Sequence, residues 1–118
     1  MKMEGTGLEG KEIELNELDL IMQELGFVRW AWDYKRATYD YKYRDRHSGE
    51  TFFLRVPSQA IEGVIEDHGN ALLRLGQPYM ARHLYPHGFD YEYDFPKHIL
   101  DHAKSKLESL NQQLQPAT

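Results

Sequence analysis

In Tyr39-Asp40-Tyr41-Lys42-Tyr43-Arg44 a tyrosine recurs at every second position, and a charged residue fills every position between. Side chains of an extended chain point alternately to opposite faces, so this pattern sets three aromatic rings on one side and three charges on the other. That is the signature of an antiparallel strand with one face in a core and one in water. Immediately upstream, Phe27 to Asp33 alternates Val28, Trp30 and Trp32 on one face, and a turn around Lys35 and Arg36 joins the two stretches as a hairpin. Downstream, Asp45, His47, Ser48 and Gly49 have turn chemistry. Phe52, Leu54 and Val56 then alternate with Thr51, Phe53 and Arg55, and Pro57 is expected to end that strand.

Working outward, Ile61 to Glu66 and Ala71 to Leu75 flank a turn at Asp67, His68, Gly69 and Asn70 and predict a further hairpin. Thr6 to Ile13 could form a short edge strand, interrupted by Gly7 and Gly10. Leu15, Leu18, Ile21, Met22 and Leu25 recur at helical spacing, which predicts a helix over Glu17 to Leu25 capped by Asn16 and stopped at Gly26. Ile99, Leu100, Ala103, Leu107, Leu110 and Leu114 form one apolar stripe, and Asp94 and Pro96 open that second, longer helix. Between Gln77 and Phe95, the breakers Pro78, Pro86 and Gly88 leave no element assigned. The fold class that follows is α+β. A single twisted antiparallel sheet of about four to six strands carries an N-terminal helix and a long C-terminal helix packed on one face.

Composition limits function. The 118 residues suit one domain over 1–118, with a tail at about 112–118 expected to fray. Cysteine is absent, so no disulfide, thiolate metal site or cysteine nucleophile is available, and a cytoplasmic location is expected. No apolar run approaches the roughly 18 residues of a membrane span, so no membrane partner is expected. A net charge of −5 argues against duplex nucleic acid, whose binding draws on displaced counterions and needs surplus Lys and Arg. The charge is uneven: residues 27–59 hold seven basic groups against four acidic ones, and nine of the fifteen aromatics.

Chemistry-bearing motifs are sparse. His83 with His87, and His98 with His102, have the i, i+4 spacing that can open a zinc site, but neither pair has an obvious third ligand, so no metal and no cofactor are expected. No serine sits in a nucleophile elbow and the glycines near the start follow no phosphate-cradling pattern, so no catalytic residue is assigned. Trp30, Trp32, Tyr39, Tyr41 and Tyr43, beside Arg29, Arg36, Lys42 and Arg44, have two readings. They are a stacking platform for single-stranded nucleic acid, or one face of the strands is simply core, which the alternation favours.

Several runs match a known family. Trp32-Asp33-Tyr34-Lys35-Arg36-Ala37-Thr38-Tyr39-Asp40-Tyr41-Lys42, Phe53-Leu54-Arg55-Val56, Glu62-Gly63, His83-Leu84-Tyr85-Pro86-His87-Gly88 and the opening Glu4-Gly5-Thr6-Gly7-Leu8-Glu9 resemble the YugN-like proteins of Bacillus and related bacteria. The resemblance implies a small cytoplasmic protein and supplies no catalytic residue. The functional expectation is therefore a non-enzymatic binding or interaction domain, with self-association as a homodimer through an open sheet face or edge. The alternative is a small-molecule site, enzymatic or not, between the sheet and the Tyr79 to Phe95 segment, where Arg36, His83, Tyr85 and His87 could converge. Single-stranded nucleic acid on the aromatic face stands third.

Overall fold

A computed structural model describes residues 1–31, 33–65, 71–84 and 88–114. The elements are β1 (Glu12–Glu14), α1 (Leu15–Leu25), β2 (Val28–Ala31), β3 (Arg36–Arg44), β4 (Thr51–Glu62), β5 (Leu72–Leu75), β6 (Tyr79–His83), β7 (Phe89–Asp90) and α2 (Lys97–Gln113). All strand pairings are antiparallel, in the order β1-β5-β4-β3-β2, and β6 also pairs with β4 and carries β7. The α+β class and the antiparallel sheet with its two helices are as the sequence indicates, with seven strands where about six had been the upper expectation.

The tyrosine repeat decides which face is core. Tyr39 is fully buried with Phe52, Leu54 and Val56, and they pack with Leu18 and Met22 of α1 and Leu107 and Leu110 of α2. Tyr39 donates its hydroxyl to Asp19 of α1 at 2.6 Å, and Lys106 of α2 lies 4.5 Å above the Tyr41 ring. Burial raises the Tyr39 and Tyr43 hydroxyls above the ordinary phenol value, so both stay protonated, Tyr39 as the donor to Asp19 and Tyr43 without a hydrogen-bond partner among the described residues. The tyrosine side is thus covered by helices, which removes Tyr39, Tyr41 and Tyr43 from any nucleic-acid platform. Trp30 lies across from Thr38, and Val28 from Asp40, so these side chains occupy the opposite face.

Several boundaries differ from the sequence reading. Pro57 does not end its strand: β4 runs twelve residues through it. The Pro57 carbonyl accepts from Gly76 at 2.9 Å, so the proline nitrogen points to that same edge. There β4 changes partner, from β6 along Phe52–Arg55 to β5 from Ser58 onward, so the missing N–H falls in the gap. Ile61 and Glu62 are therefore the tail of β4, and the turn expected at 67–70 lies outside the described residues. Helix α1 begins at Leu15 with Glu14 as its uncapped N-terminal flank, not at Asn16. The strand β1 runs straight into it, and the carbonyl of Ala71, just ahead of β5, accepts the Leu15 N–H at 2.9 Å in place of a side-chain cap.

The strand expected over Thr6 to Ile13 shrinks to Glu12–Glu14, because Gly7 and Gly10 adopt positive φ. Pro96, not Asp94, flanks α2, and its carbonyl accepts from Ile99 and Leu100, each at 3.1 Å. That helix continues through Gln113, and 115–118 lie outside the described residues. The stretch without an assigned element yields β6 and β7.

Candidate functional site

The face of the sheet away from both helices is built by register. Val28, Asp40, Arg55 and Tyr79 form one row across β2, β3, β4 and β6, and Trp30, Thr38 and Pro57 form the next. Phe53 lies between Lys42 and Ala81, and Phe89 of β7 pairs with His83. These rows place a cavity of about 380 Å³ over Thr38, Asp40 and Arg55, walled by Trp30, Phe53 and Phe89. A second hollow of about 490 Å³ shares Trp30, Asp40 and Phe53 and extends past Val28, Lys42 and Gly26.

Its floor is charged yet nearly closed to water. Asp40 is 7% exposed, and Arg55 Nε lies 3.4 Å from Asp40 Oδ2. That contact is an ion pair without a hydrogen bond: Arg55 Nε and Asp40 Oδ1 both lack a hydrogen-bond partner among the described residues. Burial pushes the Asp40 carboxyl above the usual aspartate value, and the Arg55 charge opposes this only in part. The Arg55 guanidinium stacks 4.0 Å over Phe89 and 5.5 Å from Phe53. Burial likewise raises the Tyr79 hydroxyl.

Of the residues singled out from sequence, Arg36 and His83 stand apart. Arg36 opens β3 opposite Gln59, bonds Asp33 at 3.1 Å, and lines a separate hollow with Arg74 and Pro57. His83 stands beyond Arg82, which faces Phe52, at the other end of β4. Eight residues of strand separate the two ends, on the order of 25 Å. His83 instead joins the ring cluster of the uncovered face, 6.2 Å from Phe53 and 5.7 Å from Phe89. Tyr85 and His87 lie outside the described residues. Of the second histidine pair, His98 meets Asp45 at 3.3 Å and His102 lies against the Tyr43 ring. Among the described residues no three His, Cys, Asp or Glu side chains group as metal ligands.

The alternation alone puts Asp40 and Arg55 on the side away from the core and assigns Thr38 no role. The signal that finds them is the turn at Asp45 to Glu50, because folding the chain about its midpoint sets Asp40 directly against Arg55.

The YugN-like family matches residues 4–117. The uncharacterized protein YlbA of Bacillus subtilis is 35% identical over 113 residues, covering 93% of this chain and 92% of that protein. The uncharacterized protein YugN of the same organism is 35% identical over 81 residues, or 68% of this chain and 58% of that protein. The crystal structure of the uncharacterized conserved protein YugN from Geobacillus kaustophilus superposes with a TM-score of 0.82 at 42% identity, covering 97% of this chain and 94% of that one.

Proposed function

This chain belongs to the YugN-like family, and from that premise we propose that it works as a binding domain of the cytoplasm that self-associates through the free edge of its sheet. The relatives carry no assigned activity, so the reading rests on the molecule's own surfaces. Its cysteine-free composition suits a reducing compartment. No helix of the described residues is long and apolar enough to cross a membrane.

The observation that carries the proposal is the contrast between the sheet's two ends. An open edge offers unpaired backbone groups to another chain, and proteins that must stay monomeric guard such edges with charge or keep them short. The β1 end is guarded: it is three residues long and flanked by Glu12 and Glu14, with Arg74 bonded to Glu12 at 3.1 Å. The outer edge of β6 is occupied, since Met3 donates its N–H to the Pro78 carbonyl, Met1 and Met80 exchange backbone hydrogen bonds, and β7 continues the cover. The β2 end is one residue longer than β1 and carries no guarding outward charge among the described residues. Its outward side chains Val28 and Trp30 are 59% and 60% exposed, and its one charge, Arg29, turns back to Asp19 of α1 at 3.4 Å. Two copies joined antiparallel at β2 across a two-fold axis would extend one sheet through both and shelter Val28 and Trp30 together.

Light scattering on the purified chain tests this. A dimer is expected at about 100 μM, dissociating on dilution as a small interface should. Val28→Lys, which adds an edge charge at an exposed position, is expected to give a monomer with an unchanged melting temperature. A parent protein that stays monomeric at that concentration overturns the proposal.

A further inference from the structure

We infer that the cavity floored by Asp40 and Arg55 is a binding site for a neutral, flat nitrogen heterocycle of one or two rings, stacked on Trp30 and donating a ring N–H to the Asp40 carboxylate. The site does not rest on the pairing proposed for β2, although both use Trp30, and its test reads ligand binding and not oligomeric state.

The first ground is an acceptor left without a donor. Asp40 is more than nine-tenths buried in the cavity floor, yet its Oδ1 accepts no hydrogen bond among the described residues. Buried polar atoms in folded proteins are almost always satisfied, since leaving one unmade is costly. Arg55 does not supply the donor: its Nε approaches the other oxygen, Oδ2, at 3.4 Å and misses hydrogen-bond geometry. Oδ1 is itself closed to water, so a ligand N–H in the cavity meets it once the carboxylate turns outward about its Cβ–Cγ bond.

The second ground is charge. Asp40 and Arg55 form a net neutral pair on one register row. A cationic ligand at Asp40 would stand beside the Arg55 guanidinium, and an anionic one at Arg55 would stand beside the Asp40 carboxylate. A neutral donor avoids both repulsions, and Thr38, next along the same face of β3, adds a hydroxyl able to donate or accept.

Shape supplies the third ground. Arg55 already covers the inner side of Phe53 and Phe89, whereas the Trp30 indole, more than half exposed, forms the wall with ring surface still open. A volume near 380 Å³ is at the low end of small-molecule sites, roughly 300–1,000 Å³, and suits one or two fused rings. The adjoining hollow beyond Val28 and Lys42 leaves space for a substituent such as a sugar.

Inosine and uridine present such a ring N–H, and 1-methylinosine and 3-methyluridine lack it. Each is titrated into the ¹⁵N-labelled full chain to concentrations on the order of 10 mM, where even millimolar binding is visible. Saturable shifts at Thr38, Asp40, Phe53 and Arg55 are expected with inosine or uridine, and at least tenfold weaker binding with the corresponding methylated nucleoside. Trp30→Ala, at an exposed position that leaves the core intact, should weaken binding at least tenfold with an unchanged melting temperature. Three results would each overturn the site: no saturable shift with either parent nucleoside, equal binding of the methylated forms, or full affinity in Trp30→Ala.

Discussion

A single glycine shows how tightly one residue is held. Gly26 ends α1 at φ 92°, donating its N–H to Gln23 while Phe27 reaches back to Met22, the paired bonds of a Schellman stop. A Cβ there would sit 2.8 Å from Cε2 of Tyr41, a ring fixed between Phe27 and Tyr43. Gly10 has a similar φ of 87° with open space around it. Gly10→Ala therefore meets only the left-handed backbone cost, about 1 kcal/mol, and Gly26→Ala should lose about 2 kcal/mol or more because the ring must also shift. Chemical denaturation of the two variants measures the difference, and equal losses would show that Tyr41 yields freely. Asp40 gives a second test at this scale. Its carboxyl is raised in the folded state, so its contribution to stability is fully present below the unfolded value of 3.8 and is lost as pH rises through the folded value. Asp40→Asn removes that dependence. The melting temperature of the parent minus that of the variant should fall as pH rises through the window just above 3.8, and a constant difference across it would refute the raised carboxyl.

The elements show where pattern is enough and where it fails. Alternation places the inward side of β3 and β4, and the helical stripe places Ile99, Ala103, Leu107 and Leu110 in the core, because burial follows directly from the period of each element. Length and ends follow other rules. Proline reads as a strand end because it lacks a ladder donor, but at Pro57 the neighbour on that side is Gly76, which gives its N–H to the Pro57 carbonyl, and the ladders to β5 and β6 stop on either side of it. Pro57→Ala should therefore change stability by no more than about 1 kcal/mol, the unfolded-chain entropy effect alone. A larger loss on denaturant titration would mean that the ring itself holds the fork between β5 and β6. In the same way Asn16 reads as a cap, but a cap is needed only where first-turn donors face water, and Ala71 already accepts one of them.

For the whole molecule, two helices cover one side of a seven-stranded sheet and leave the other side to β7, the ring cluster and the Asp40–Arg55 pair. An open face and the β2 edge occur together, and the two proposals meet at Trp30: the edge for a second copy, the hollow beside it for a small neutral ring. Arg36 and His83 show the limit of reading a site from residue type, since both carry suitable chemistry and stand at opposite ends of one long strand. The sequence by itself determined the α+β class, the inward tyrosines and leucines, the two helices and the family, because periodicity and short motifs are local and fix which side of each element is apolar. Only the tertiary structure decided that β4 forks between two partners, that Trp30 opposes the tyrosines, and that Asp40 is buried beside Arg55 with an oxygen to spare. Those facts depend on strand register and on which face the helices choose, and both are set by contacts between residues far apart in the chain.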